Sequence, residues 1–413
     1  MNIVHFTWEY PPVIYGGLGT FAEELTKKQL SLGHDITVFS LNENNALSTY
    51  EKQNKIDVYR PKSLDLTETF RLFADHELKS WGPNFKFFAD VVSYNIMSAS
   101  QLVNVLVKKQ NKKIDVVDAH DWLGIIGGAI AKRELGKPLF FHIHSTEVGR
   151  SIGRGSHNIK DIEFEGGQIA DCIVTVSYAM KDELEKLGFP TEKIRVCWNG
   201  VDPEKYDPKK VSKEEIKKLR SKYGIKENEN MIFFIGRLVT VKGVDKLVKA
   251  MPNVLDDFPN SKLLILGVGD MEFGLKDLAK KLGIEDKVRF RTEFISEPER
   301  IKHYAAADCV VLPSTYEPFG IVCTESMSME KPTVVGARGT NGFREQIIPS
   351  GDKQNGYHIN PHDPSDIAWG IKQVFQDKKK SELMGKNARV RVLEEFSWNK
   401  VAERTLDIYR GFL

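Results

Sequence analysis

Two glutamates, Glu317 and Glu325, lie eight positions apart in "CVVLPSTYEPFGIVCTESM". The first directly follows an apolar run that reads as a buried strand, and the second falls about one turn into the helix expected next. Carboxylates so placed can face a ligand from the end of a strand, accept hydrogen bonds from hydroxyls, or oppose a developing positive charge. Acids near a helix N-terminus also simply favour the helix, by about 0.3–1 kcal/mol each. That plainer account covers Glu325 better than Glu317. Upstream, "FFIGRLVTVKGVDKLVKAM" sets Arg237 at the exit of a strand and Lys242 just ahead of a helix. Cations are disfavoured at a helix N-terminus, so the pair points to an anion held between them, or else to two solvated charges near a turn.

Near the start, "EYPPVIYGGLGTF" places Gly16, Gly17 and Gly19 immediately before a helix. Backbone N–H groups of such a loop can cradle phosphate, although tight turns also need glycine. Two further strand ends carry His120 with Asp121 and His142 with His144, in "DAHDWLGIIGG" and "HIHSTEVGR". Imidazole and carboxylate suit zinc or iron. The competing reading makes His142 a satisfied core residue and the others the lining of a polar cleft. No further cluster with ligand spacing supports a metal, so none is expected. "LGVGD", with Gly267, Gly269 and Asp270, reads as another loop of close backbone approach.

These residues need a frame that brings strand ends together. Runs rich in Val, Ile, Leu and Phe alternate with amphipathic stretches, the signature of parallel strands joined by helices. The first half gives "NIVHFTW", "HDITVFS", "DVVDAH", "PLFFHIHS", "CIVTVS" and "IRVCWNG"; the second gives "MIFFIGR", "KLLILGVG", "KVRFRTEF", "CVVLPST", "PTVVGARG" and "NGYHI". The expected architecture is α/β: two tandem doubly wound domains facing a central cleft. Residues 1–200, completed by a C-terminal helix over 398–413 that crosses back, form the first; residues 201–397 form the second. Between the first two strands, Phe21, Leu25, Leu30 and Leu32 approximate one helical face, with Gly33 as its stop. The turn-rich stretch from Val201 to Pro208 reads as a linker.

Composition narrows the function classes. The chain has 413 residues, 41% hydrophobic and 28% charged, with a net charge of +2. No charge excess calls for nucleic acid, and no apolar run approaches the ~18 residues of a membrane span. The N-terminus shows no signal-peptide pattern. Cys172, Cys197, Cys309 and Cys323 contain no C-x-x-C and read as reduced core residues of a cytoplasmic protein.

Taken together, these motifs resemble the retaining glycosyltransferases of the two-Rossmann-domain GT-B fold, especially glycogen and starch synthases. The resemblance runs from "WEYPPVIYGGLGT" through "DVVDAHDW", "HIHS", "VSYAMKDEL", "NGVDPEKY", "GRLVTVKGVD" and E-x7-E to "FSW". It implies that Arg237 and Lys242 bind and stabilise the donor diphosphate, that Glu325 grips the ribose, and that Glu317 faces the donor sugar. His144 would contact that sugar, with Asp121 beside sugar or acceptor. Gly16, Gly17 and the amides of Thr340, Asn341 and Gly342 would approach the phosphates. No metal or other cofactor is implied, since Arg237 and Lys242 can serve and no D-x-D motif stands at a strand end. Retention of the anomeric configuration is implied too, by front-face attack assisted by a donor phosphate oxygen.

The family's K-x-G-G-L loop appears here as "IYGGL", with Ile14 in the lysine position, and "ARGTNGFREQI" replaces the usual T-G-G-L. The resemblance thus implies glucose transfer from a nucleotide sugar, UDP- or ADP-glucose, to the non-reducing end of an α-1,4-glucan, with the nucleotide left open. A related hexosyltransferase with a sugar, lipid-linked or small-metabolite acceptor is the second reading. A non-catalytic carbohydrate-binding protein is the third. The aromatic stretch "LDLTETFRLFADHELKSWGPNFKFFADVVSYN" either walls an acceptor site or packs helices.

Overall fold

Apolar runs without polar alternation become strands covered on both faces, and these runs do so. A computed structural model describes residues 1–413. The chain divides into two compact units, one of Met1–Val176, Met180–Trp198 and Val401–Leu413, the other of Ser177–Ala179 and Asn199–Lys400.

The first unit holds an eight-stranded sheet of order β3-β4-β2-β1-β5-β6-β7-β8. Its strands are β1 (Asn2–Phe6), β2 (Asp35–Phe39), β3 (Tyr50–Gln53), β4 (Ile56–Tyr59), β5 (Val116–His120), β6 (Leu139–Ile143), β7 (Cys172–Thr175) and β8 (Ile194–Val196). All pairs are parallel except β3 with β4. That edge hairpin went unread because "YEKQ" is polar and half-exposed, as edge strands are. The second unit holds a six-stranded parallel sheet of order β11-β10-β9-β12-β13-β14. Its strands are β9 (Asn230–Ile235), β10 (Ser261–Leu266), β11 (Val288–Arg291), β12 (Cys309–Leu312), β13 (Thr333–Gly336) and β14 (Gly356–Ile359). In each sheet the winding reverses beside the first strand, between β1 and β5 and between β9 and β12. Loops leaving those strands diverge there and open a crevice at the carboxyl ends.

Helices cover the sheets with faces set by 3.6-residue spacing. In the second unit, helix Val244–Asp257 buries Val244, Leu247, Val248, Met251 and Val254 in one core with Ile232, Phe234, Leu263 and Ile265. In the first unit, helix Gly17–Ser31 ends where Gly33 takes φ +85°. Its buried face is Phe21, Ala22, Leu25, Thr26 and Gln29, while the expected Leu32 is 45% exposed. Gln29 displaces the leucines because the strand beside it carries a buried imidazole that needs a polar partner. The stretch read as a linker is also partly core: Val201 and Tyr206 are each 2% exposed. Polar composition hid two buried anchors. All four cysteines are free and buried, and burial pushes the Cys197 thiol up to about 11.

One glycine fixes the approach of two loops. Gly243 has φ +66°, and a Cβ there would lie 2.1 Å from the Pro313 carbonyl oxygen. We expect Gly243→Ala to destabilise the chain by about 1–3 kcal/mol. Urea unfolding checks this, and an unchanged midpoint would show that the loops separate freely.

Candidate functional site

In the second unit the loops leaving β9, β12 and β13 are laced together by backbone. Thr315 N–H donates to Val241 O at 2.8 Å, Glu317 N–H to Thr340 O at 3.0 Å, and Gly342 N–H to Glu317 O at 2.7 Å. Asn341 is fully buried and its side-chain amide donates to Ser314 O at 2.8 Å, which locks the third loop under the second. Gly320, at φ +85°, allows the turn after Glu317, since a Cβ there would strike the Phe343 ring at 2.1 Å. These loops hold Glu317, 7% exposed, in an ion pair with Lys242, and Ser314 Oγ lies 3.3 Å from the same carboxylate. Two expected site residues thus meet each other directly. Arg237, at the exit of β9, is exposed and has no ion-pair or hydrogen-bond partner. The neighbouring helix Val244–Asp257 has no side-chain cap, and with Lys246 N–H donating to Gly243 O at 3.0 Å its Val244 and Asp245 amides are the ones open to an acceptor.

One expectation is corrected here. The Gly342 amide was expected at a phosphate, but it is committed to the Glu317 carbonyl because Glu317 and Asn341 form a parallel bridge.

Glu325, in helix Ile321–Ser328, is 5% exposed and held from three sides. Tyr206 Oη donates to Oε1 at 2.8 Å, Tyr304 Oη to Oε2 at 2.7 Å, and the Arg300 guanidinium lies 3.2 Å from Oε1. Burial opposes the Arg300 charge, but Glu325 together with Tyr206 and Tyr304 outweighs it and raises the pKa. Burial and the Glu325 charge both raise Tyr304 and keep it a donor. A carboxylate offers about four lone-pair sites, so Glu325 keeps room for a ligand hydroxyl. Tyr206, Tyr304 and Arg300 were not singled out from sequence. A lone tyrosine inside the turn-rich "DPEKYDP" was the available signal.

In the first unit the strand ends carry His5, Asp118 and His120 in a buried cluster with His142, while His144 is partly exposed at the end of β6. The rings of His120 and His142 stack at 5.1 Å, and those of His120 and His144 at 5.6 Å. Desolvation pushes His144 down to about 3 and His120 well below its usual value, so both are neutral. Asp121 opens helix Asp121–Leu135 at φ +52°, a left-handed conformation that costs most residues 1–2 kcal/mol or more and aspartate less. That geometry turns its Oδ1 to accept from His144 N–H at 2.7 Å. The expected partners His144 and Asp121 therefore share one loop crossing. Asp121 is 7% exposed, and desolvation raises its pKa to about 6 against the opposing pull of Arg150.

The glycine loop differs from expectation. The Tyr15 and Gly16 amides donate to Glu9 Oε2 at 2.9 and 3.0 Å, so the Gly16 N–H meets a carboxylate of its own chain. Gly17 begins the helix, and a Cβ at Gly16 or Gly17 would meet nothing within 4 Å, leaving open space above the loop. Beside this loop lies a cleft of about 450 Å³ whose lining includes Trp8, Tyr15, Asn42, Glu43, Asp65, Phe87 and Asp90. Its one cation, Lys86, is paired with Asp90 at 2.8 Å. Of the aromatic stretch, Phe87 lines the cleft and meets Trp8 edge-on at 5.4 Å, while Phe88 stacks on the buried Trp122.

A family pattern described as Glycosyltransferase Family 4 matches residues 15–205, and one described as Glycosyl transferases group 1 matches residues 215–391. An uncharacterized glycosyltransferase of Methanocaldococcus jannaschii is 34% identical over 414 residues, covering 99% of this chain and 98% of that one. The chain is a group 1 glycosyltransferase. The transferase is also 29% identical to glycogen synthase of Mycobacterium tuberculosis, over 99% of its own length and 94% of that enzyme. Its two parallel-sheet domains match the fold of an Anabaena protein solved in complex with UDP-glucose, with TM-score 0.74, 20% identity and 100% of both chains covered. No helix of the transferase is long and apolar enough to cross a membrane.

Arg237 is the clean probe of the anion site expected from the sequence, because it is exposed and unpaired. Arg237→Ala should cut donor turnover at least tenfold while stability changes by no more than about 0.5 kcal/mol. Lys242→Ala should also abolish most turnover, but it strands the buried Glu317 charge and lowers stability as well. Steady-state rates with urea unfolding separate the two effects, and a normal rate in Arg237→Ala would remove it from the site.

Asp121 gives a prediction in pH. Its folded pKa of about 6 exceeds the ordinary 3.8. The neutral form is therefore favoured on folding; that contribution is complete below about pH 4 and lost as pH rises through 6. Asn tolerates the same left-handed backbone and keeps an acceptor for His144 N–H. Asp121→Asn should match the wild type at pH 4 and exceed its stability by up to roughly 3 kcal/mol at pH 8. Equal stability across the range would place the Asp121 pKa near its ordinary value.

Proposed function

We infer that the transferase moves glucose, with retention, from UDP- or ADP-glucose to the non-reducing end of an α-1,4-glucan. The observation that carries the donor half is that the unpaired Arg237 and Lys242 stand on one segment between β9 and an uncapped helix N-terminus. A departing nucleoside diphosphate gains negative charge there, and fixed cations stabilise it without a divalent metal. Glu325, held rigid by Tyr206, Tyr304 and Arg300, accepts ribose hydroxyls. Glu317 keeps a carboxylate near the sugar as positive charge grows on the ring. The His144 ring contacts that sugar, with Asp121 fixing its backbone.

The acceptor half rests on the cleft beside the glycine loop. Trp8 and Phe87 offer faces for sugar rings, and Asn42, Glu43 and Asp65 offer hydrogen bonds to hydroxyls. Its carboxylates outnumber its one paired lysine, which suits an uncharged carbohydrate and disfavours a sugar phosphate. A second reading, a lipid-linked acceptor, is favoured by Leu72 and Phe73, which are 83% and 69% exposed in the same unit.

The test is nucleotide release in EDTA from UDP-glucose, ADP-glucose and GDP-mannose, each with glycogen, glucose 1-phosphate, a lipid-linked sugar or no acceptor. Glycogen-stimulated release from one glucose donor is expected. Stimulation only by the phosphate or the lipid would replace the glucan acceptor, and dependence on added divalent metal would replace the cation-only donor site.

A further inference from the structure

The buried polar cluster of the first unit contains more hydrogen-bonding groups than positioning His144 by its backbone requires. His5 Nε2 lies 2.8 Å from Gln29 Oε1, His5 Nδ1 lies 3.2 Å from His120 Nε2, and His120 Nδ1 lies 3.3 Å from His144 Nε2. The three rings form one unbroken file, and Gln29, His5 and His120 are fully buried. Each ring is neutral through desolvation. A neutral imidazole has one N–H and one lone pair, so the state of any member dictates the next.

Asp118 does not choose the direction. Its Oδ2 lies 3.4 Å from His5 Nδ1 and 3.8 Å from His120 Nε2, and a proton on either would face it. His142 Nδ1, at 2.7 Å, and the Tyr409 hydroxyl are its close partners. The choice falls to Gln29. The Tyr409 proton is given to Asp118, so the phenol oxygen is left with lone pairs only. Gln29 Oε1 lies 2.8 Å from His5 Nε2, while its own Nε2 makes no hydrogen bond. Gln29 thus presents its oxygen to His5. An amide oxygen only accepts, so His5 carries its proton on Nε2. His5 Nδ1 then accepts from His120 Nε2–H, and His120 Nδ1 accepts from His144 Nε2–H.

We propose that Gln29 is a positioning residue that, through His5 and His120, fixes His144 as the Nε2–H tautomer and leaves its Nδ1 as a hydrogen-bond acceptor. On the reading that His144 contacts the donor sugar, Nδ1 accepts a hydrogen bond from a sugar hydroxyl and rejects a ligand group that can only accept.

Long-range ¹H–¹⁵N spectra of the full chain labelled in histidine read the tautomer without any ligand, with His144→Gln assigning the His144 signals. The wild type should show His144 protonated at Nε2 and bare at Nδ1 at neutral pH. Gln29→Met, close in volume, should convert this to a mixture of tautomers with the amide spectrum otherwise retained, and should lower kcat roughly tenfold. A wild-type His144 protonated at Nδ1, or an unchanged tautomer in Gln29→Met, would overturn the proposal. So would metal found by elemental analysis and held by His5, Asp118 and His120, whose ligating atoms lie within 4.8 Å of one another. If Gln29→Met does not fold, the wild-type spectrum alone still decides the direction. Normal donor turnover by His144→Gln would instead remove the sugar contact and leave the tautomer result intact.

Discussion

A carboxylate taken out of water must be given donors or lose its charge, and this requirement organises both units. Asp118, Glu317 and Glu325 are all buried at or near strand ends, and each recruits a different set of partners: imidazole and phenol for Asp118, ammonium and hydroxyl for Glu317, phenols and guanidinium for Glu325. The partners come from distant stretches of chain. Each acid therefore ties together loops and helices that hydrophobic packing alone would leave free to shift. Asp121 is given the His144 N–H as a donor, yet desolvation still raises its pKa to about 6.

The parallel sheets supply the geometry that makes such burial possible. Because winding reverses beside β1 in one unit and beside β9 in the other, the loops that follow neighbouring strands separate at those points and leave polar strand ends at a crevice within each unit. Glycines at left-handed positions then let backbone approach backbone, as at Gly243 over Pro313 and Gly320 over Phe343. Chemistry is concentrated where hydrophobic coverage is thinnest.

Much of this was legible in the sequence. Every buried strand of the second sheet was marked by its apolar run, and Lys242, Glu317 and Asn341 do meet in one laced set of loops. What escaped notice were residues whose meaning depends on a remote partner. Gln29 looked like a gap in an apolar face until His5 was beside it, and Tyr206 sat among turn residues until Glu325 was seen behind it. Glu9 carried no signal, because only the fold turns its carboxylate onto the Gly16 amide. Periodicity reports burial, and it is silent on which buried groups find each other.

The pairing of Lys242 with Glu317 also bears on how the transferase behaves in a crowded solution of anions. With Glu317 already on the ammonium, the local charge is nearly cancelled, while the exposed Arg237 and Arg338 remain uncompensated. Chloride, acetate or a single phosphate gains little by displacing an internal carboxylate. A diphosphate can engage Arg237 with one group and compete for Lys242 with the other, and so gains from both at once. On the proposed donor reading, the internal acid thereby acts as a threshold on ligand charge, tuning the site to polyanions without any additional contact.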